Sequence, residues 1–459
     1  MEHLGQIILL LLVGIAVVAL FQRLHIPTSL GYLLVGVILG PHTMGPTVSM
    51  PGLEVFAELG IVFLLFTVGL EYSLPQLNAL SRQILWIGAG QVALTTLLIG
   101  LIAWLAGLPV AAAFVVGAVF AQSSTTIIAS QLAEQGEESS HHGRLGISVS
   151  VFQDVAAVPF LVIIPVLGTT ISAYALAGTL GVALAKAVLA FAAVYFAGRW
   201  LLRPLFHTVA EHRSVELFTL AVLLVALLAA WTTSSLGLSL AFGAFLAGMM
   251  LGETEFRHQV ESSIRPFRDV LLGLFFVGIG MRFGPAAIPP IWHLVLIGAL
   301  LIVASKTLIV AALVRRAGLD RQGAWRTGLI LGVGGEFGLA LVAIALDSGV
   351  IDMQLGQVAI TSVLLSMVLG AALIRFNGKV AGWLAEQPPG ETSAEAELPE
   401  IPERQVVIRI TSAVLPIRRP SMPVRPTVPM TTRSALSSEA KAGITCLGLP
   451  WRRWNRGER

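Results

Sequence analysis

Long apolar runs, broken at intervals by short polar or glycine- and proline-bearing segments, fill residues 1–383. A helix needs about 17–25 mostly apolar residues to cross a bilayer. The pattern predicts thirteen such spans, at 4–22, 29–41, 53–72, 84–106, 110–132, 145–167, 172–199, 215–233, 237–252, 268–283, 292–314, 325–346 and 353–376. The second and ninth are short, which predicts tilted or partly inserted helices. Ahead of the first run there is neither a basic start nor a small-residue cleavage site, so it is expected to be a retained helix. After Trp383 the pattern stops. Residues 384–403, with Pro388 and Pro389 and an acidic stretch, are expected to form a linker. Residues 404–459, rich in Pro, Arg and Ser, are expected to be disordered.

The pattern also repeats. Ser29-Leu30-Gly31-Tyr32 through Leu39-Gly40 reads like Ser239-Leu240-Ala241-Phe242 through Leu251-Gly252, and Leu65-Phe66-Thr67-Val68-Gly69-Leu70 reads like Leu274-Phe275-Phe276-Val277-Gly278-Ile279. Six spans, a linker span and six more would run the halves antiparallel. Inverted repeats of this kind mark secondary transporters, with the ion site at the midplane where helices break.

Composition narrows the class. Apolar residues make up 56% of the chain and charged residues 12%, a balance that excludes a soluble domain and fits an all-α polytopic membrane protein. Cys446 is the single cysteine, so neither an internal disulfide framework nor a cysteine-built metal site is expected. Basic residues are dispersed over loops, which gives no nucleic-acid surface. With the N-terminus outside, Arg82, Arg144, Arg257, Arg315, Arg316 and Arg326 fall on the inner side and Arg282 on the outer side. That bias predicts an external N-terminus and a cytoplasmic C-terminus.

Five ionisable residues fall inside the predicted spans: Glu58, Asp154, Lys186, Lys306 and Glu336. A charge at the bilayer centre costs about 2.5–3.5 kcal/mol on insertion scales, so an acid there defaults to a functional reading. Asp154, in Phe152-Gln153-Asp154-Val155, is the foremost candidate. Asp154 and Lys306 both lie near mid-span, where each could neutralise the other. Such a pair either serves proton–cation exchange or only fixes helix packing. Gln153 supplies a neutral amide beside the acid. Ser123, Ser124, Thr125 and Thr126 interrupt the fifth span with consecutive hydroxyls. Gly332, Gly334, Gly335 and Gly338 around Glu336 interrupt the twelfth. Breaks at matched positions would free carbonyls and helix ends for an ion; small-residue packing is the other reading. Glu336 could cap an opened helix end and Glu58 could serve an outer gate, or both could be structural. Lys186 has no evident partner. His141 and His142, after Glu134, Glu137 and Glu138, read as a solvated loop, with a metal site or pH sensor the alternatives.

Together these segments resemble the Kef-type branch of the monovalent cation:proton antiporters. The resemblance rests on Gln122-Ser123-Ser124-Thr125-Thr126, Phe152 to Pro159, Ser239 to Gly248, Pro266-Phe267-Arg268, Gly273 to Met281 and Gly334-Gly335-Glu336-Phe337-Gly338, and it covers roughly residues 1–380. It implies the sodium/proton antiporter fold, a homodimer, and alternating access by a core bundle moving against a dimer bundle. It also implies that Asp154 binds the ion and exchanges the proton, with Lys306 as its charge partner. Members of this branch usually carry a nucleotide-binding domain after the last span. Here Gln405-Val406-Val407-Ile408 looks like its first strand, yet no Gly-x-Gly-x-x-Gly follows. The domain is therefore expected to be missing through truncation or frameshift, and NAD or glutathione regulation with it. No cofactor or structural metal is expected.

The expectation is thus a transporter and not an enzyme. It would exchange K+, or Na+, for H+ in a bacterial inner membrane, using Asp154, Gln153, Ser124, Thr125 and Thr126. A channel-like gated efflux pathway and a non-transporting membrane sensor are the rivals.

Overall fold

A computed structural model describes residues 2–23, 27–41, 53–71, 82–168, 173–212, 214–282 and 288–385, with Gly284 and Ala286. The chain divides into two units, Met1–Gln405 and Val406–Arg459, and every described residue lies in the first. The predicted disordered tail, Cys446 and all but the first two residues of the predicted linker lie outside the described residues.

Within the described residues the secondary structure is helical. The helices are α1 (Glu2–Arg23), α2 (Thr28–Leu39), α3 (Leu53–Glu71), α4 (Arg82–Leu105), α5 (Val110–Ala121) and α6 (Thr125–Gln135). Then come α7 (His141–Leu167), α8 (Ala173–Ala197), a π-helical turn at Gly198–Leu202, α9 (Arg203–Glu211), α10 (Val215–Ser235) and α11 (Leu240–Gly252). The last are α12 (Arg257–Met281), α13 (Ile288–Arg316), α14 (Arg321–Leu331), α15 (Glu336–Asp347), α16 (Met353–Arg375) and α17 (Asn377–Leu384).

Polar side chains set many starts. Ser124, Ser140, Ser214, Ser239, Asp320 and Asp352 each accept a main-chain N–H three residues on and cap α6, α7, α10, α11, α14 and α16. Each predicted span has a helix or a broken helix pair as its counterpart, but thirteen crossings do not follow. By length and apolar composition, eight described helices can cross a membrane, or nine if the bent pair α14–α15 is one span. The reason is partly length. α2 and α11 have 12 and 13 residues, or about 18–20 Å at 1.5 Å per residue, against a hydrocarbon core of about 30 Å.

Helix contacts sort into two bundles. In the first, α2 packs on α12 and α1, and α3 packs on α11 and α12, with α10 against α11. In the second, α4 packs on α5, α7 and α13, while α13 packs on α14 and α16, and α7 meets α14 and α15. Exchanging the two halves of the sequence maps these contacts onto each other: α2–α12 onto α11–α3, α4–α5 onto α13–α14, α4–α7 onto α13–α16. The repeat read in the sequence is therefore present in the packing.

Glycines close the first bundle. A Cβ on Gly36 would collide with the Val277 carbonyl and one on Gly280 with the Leu33 carbonyl, which pins α2 on α12. Gly69 and Gly248 play the same part for α3 and α11, against Phe245 and Phe66. Lipid offers no hydrophobic gain for joining helices, so such close backbone approach carries the association.

Candidate functional site

The site forms where two broken helices cross. α5 ends at Ala121 and α6 starts at Thr125; α14 ends at Leu331 and α15 starts at Glu336, with a bend of 44°. The two breaks touch main chain to main chain. Ser124 N donates to Gly334 O at 3.0 Å, and Ser123 Oγ donates to Leu331 O at 2.9 Å. A Cβ on Gly335 would lie 2.7 Å from Ser123 C and O, so only glycine allows the crossing. Ser366 of α16 closes the other side, with Gly334 N donating to its Oγ at 3.1 Å. Each break leaves helix ends short of partners, two carrying positive partial charge and two negative.

The acids sit at positive ends. Asp154, 6% exposed near the middle of α7, accepts a hydrogen bond of 2.9 Å from Thr125 Oγ1 in the first turn of α6. Glu336 lies in the first turn of α15 and accepts from Ser29 Oγ of α2 at 3.1 Å, a contact between the two bundles. Asp154 lies within electrostatic reach of Glu336 and of Glu71 at the end of α3. Pro159, inside α7, deprives the Val155 carbonyl of its usual donor and loosens the turn after Asp154.

Lys306 corrects an expectation. It forms no ion pair with Asp154; its ammonium donates to Gln122 O at 2.5 Å and Val333 O at 2.7 Å. One carbonyl comes from each break. Fully buried on α13, its amino group lies at the negative helix ends, as the carboxyl groups lie at the positive ones. Two mid-span charges suggested a mutual pair because linear sequence does not show which helix ends stand nearer.

The remaining candidates divide. Ser124 caps α6, Thr125 holds Asp154, and Gly334 and Gly335 make the crossing. Thr126 is exposed, as is Glu58 on α3, and neither is hydrogen-bonded to Asp154. Lys186 is exposed on α8, its ammonium beside the turn at Gly237. Gln153, fully buried, donates through Nε2 to Gln91 Oε1 of α4 at 2.7 Å. Gln91 and Ser366 were not singled out by the sequence. A lone amide or hydroxyl in an apolar run carries little signal until its partner is known.

At one end of the second bundle the loop after α6 is tied down by side-chain contacts. Glu137 Oε1 accepts from Arg326 Nη2 at 2.5 Å and its Oε2 faces His142 Nε2 at 3.2 Å. Arg326 Nε also donates to Asn377 Oδ1 at 2.6 Å, tying α17 to the loop. Burial pushes the Glu137 carboxyl up, but the hydrogen bonds and charges of Arg326 and His142 outweigh it, so its pKa falls below the ordinary value. Among the described residues no group of three or more His, Cys, Asp or Glu is placed to hold a metal ion.

Residues 7–376 match the family described as sodium/hydrogen exchanger, transmembrane. The chain is 57% identical over 392 residues, 85% of its length, to a putative K(+) efflux antiporter KefB of Alkalimonas amylolytica. It is 39% identical over 368 residues, 78% of its length, to the chloroplastic K(+) efflux antiporter 1 of Arabidopsis thaliana. It spans 59% of the first relative and 31% of the second. Among solved structures, the sodium proton antiporter MjNhaP1 of Methanocaldococcus jannaschii at pH 8 shares its fold, with a TM-score of 0.61 at 18% identity over 84% of this chain and 99% of that one.

Proposed function

This chain belongs to the sodium/hydrogen exchanger family, and from that premise we propose that it is a secondary active antiporter, exchanging a monovalent cation for H+ by alternating access. K+ is the favoured cation, because the relatives above are named K(+) efflux antiporters; Na+ is the second candidate. The observation that carries the reading is Asp154: a buried carboxylate held by Thr125 at the start of α6, the helix that begins after the break at residues 122–124. Such a group has few ways to exist in lipid. It is protonated, or it holds a cation that replaces the proton.

In the cycle, Asp154 gives up its proton and takes a partly dehydrated cation, with Thr125, Gln153 and carbonyls freed at the breaks completing an oxygen shell. The second bundle then moves against the first, and a proton from the other side displaces the ion. Lys306 stays with the helix ends through Gln122 O and Val333 O, and Asp154 alone carries the exchange. The protein works as a homodimer in a bacterial inner membrane, N-terminus outside and C-terminus cytoplasmic.

The test is pH-gradient dequenching in everted vesicles or proteoliposomes, with K+, Na+, Li+ and Rb+ compared for the native protein and Asp154→Asn. Saturable, cation-driven proton movement is expected from the native protein, and none above empty vesicles from correctly assembled Asp154→Asn. Native-like exchange by that variant would overturn the reading. Ion flux that needs no proton gradient and does not saturate would point instead to a gated pathway.

A further inference from the structure

Behind Asp154 runs a chain of buried amides whose polarity is dictated from one end. Gln91, Thr95 and Gln153 are all fully buried. Gln91 Nε2 donates to the main-chain carbonyl of Ala121 at 3.1 Å and to Thr95 Oγ1 at 3.2 Å. Gln91 Oε1 accepts from Gln153 Nε2 at 2.7 Å. Gln153 Oε1 has no hydrogen-bond donor among the described residues.

The two ends of a side-chain amide look alike, but this network allows one orientation. A carbonyl oxygen can only accept, so the Gln91 atom facing Ala121 must be nitrogen. Its oxygen therefore faces Gln153, and the Gln153 atom that meets it must be nitrogen too. The oxygen of Gln153 is what remains. Turning both amides over would set Gln91 Oε1 against Ala121 O, two acceptors with no proton between them. The Ala121 carbonyl is free for this duty because α5 ends at that residue. The helix break thus fixes which atom Gln153 presents.

A buried, unpaired amide oxygen costs about 1–3 kcal/mol and is rare in folded proteins. Here the orphan oxygen belongs to the residue preceding Asp154, and both side chains are linked by hydrogen bonds to one helix break. Gln153 reaches it through Gln91 and Ala121; Asp154 reaches it through Thr125. An uncharged hard oxygen there suits a dehydrated alkali cation, whereas an N–H would repel it.

We propose that Gln91 is a positioning residue: by locking the Gln153 amide, it makes Gln153 give an oxygen, and never an N–H, to the transported cation. The inference rests on the antiport reading and deepens it, since it concerns the cation step and leaves the proton step to Asp154.

The experiment measures half-saturating cation concentration, maximal rate and K+/Na+/Rb+/Li+ preference in proteoliposomes. It compares the native protein, Gln91→Met, Gln91→Glu, Gln153→Leu and the double variant Gln91→Met/Gln153→Leu. Gln91→Met is expected to raise the half-saturating concentration about tenfold, as loss of one ligand of about 1.4 kcal/mol would, with the maximal rate within about twofold. Gln91→Glu, whose protonated form donates to Ala121 and accepts from Gln153, is expected to stay near native. The double variant should be no worse than the worse single one, because both changes remove one oxygen. Native half-saturation and ion preference in assembled Gln91→Met, or fully additive losses in the double variant, would overturn the proposal. Should Gln91→Met fail to elute as a monodisperse protein, Gln91→Asn replaces it. That amide is too short to bridge both partners, and a native half-saturation there overturns the proposal equally. If the native protein itself exchanges no cation for protons, the antiport reading falls and this inference with it; if it does exchange and only Gln91 is inert, the inference alone falls.

Discussion

The two bundles are built from the same apolar alphabet and bury opposite things. Among the described residues, the buried polar side chains of the first bundle are Ser29, Thr67 and Thr233, all hydroxyls. Thr67 and Thr233 donate to main-chain carbonyls of the preceding turn, and Thr233 also to that of Ser239 at the start of α11. The second bundle buries Gln91, Thr95, Gln122, Ser123, Ser124, Gln153, Asp154, Lys306, Ser362 and Ser366. Glycine seams are enough to join helices in lipid, so a membrane protein has no need of such polar interiors for assembly. Buried polar groups cost stability unless each finds a partner. Among the described residues, buried amides and charged side chains are confined to the second bundle, which is the body that the proposed ion site would occupy.

The comparison breaks most violently at Lys306. If Lys306 serves the helix ends, Lys306→Met strands two carbonyls and leaves the crossing uncompensated, at a cost of about 3–5 kcal/mol. Melting of the purified protein should drop steeply, and by the same amount in an Asp154→Asn background. Were Lys306 the partner of Asp154, removing both charges would restore much of the loss. Recovery in the double variant would refute the helix-end assignment.

Glycine substitutions sharpen the contrast. Gly335→Val sets a side chain against the Ser123 main chain at the crossing, where neither neighbour can give way. Overpacking of this kind costs about 1–3 kcal/mol, and here it should also abolish exchange. Gly248→Ala, at the α3–α11 seam, should lower the melting temperature similarly, yet leave the half-saturating cation concentration unchanged in the protein that folds. A shifted half-saturation in Gly248→Ala would mean that the first bundle also shapes the site.

Much of this was legible in the sequence, and the misses have physical causes. Thirteen apolar runs, the internal repeat and both breaks stand in the linear pattern, since length, hydroxyl runs and glycine clusters are local signals. Asp154 stood out because a lone acid in an apolar run has one common explanation. Lys306 was found but misassigned, because its partners are main-chain carbonyls, which no residue code displays. Gln91 was invisible for the same reason: its meaning comes from Ala121 and Gln153, 30 and 62 positions away. Thirteen crossings are not matched by helix length among the described residues, because short helices such as α2 and α11 satisfy an apolar pattern without the length to span.

A smaller effect lies at the far end of the second bundle, where Glu137 joins Arg326, His142 and Asn377. Its carboxyl has a pKa below the ordinary 4.5 in the folded protein. A depressed carboxyl contributes stability that is complete above its unfolded value and is lost as pH falls through the folded one. The native protein should therefore lose this part below about pH 4.5. Glu137→Gln, which still accepts from Arg326 but without charge, should be less stable by about 1 kcal/mol at neutral pH and lack that part of the acid loss. Parallel acid limbs for both proteins would remove Glu137 from the account.

The smallest expected effect tests where the bundles meet. The repeat pairs Ser29 with Ser239, yet the two serines do different work. Ser239 caps its own helix, accepting from Phe242 N, whereas Ser29 reaches out of the first bundle to Glu336 in the second. A second link, Arg282 Nη1 to Asp347 Oδ1 at 2.7 Å, is exposed, and such pairs contribute at most about 1 kcal/mol. If the second bundle moves against the first, the Ser29–Glu336 bond must break in each cycle, and it favours the arrangement seen here. Ser29→Ala removes about 0.5–1.5 kcal/mol of that preference, a shift of roughly two- to tenfold toward other arrangements. Spin labels on α3 and α14 should then show a second distance gaining population by that factor, while Ser239→Ala lowers thermal stability and leaves the distances alone. Identical distance distributions in native protein and Ser29→Ala would mean that this contact does not report on the motion between the bundles.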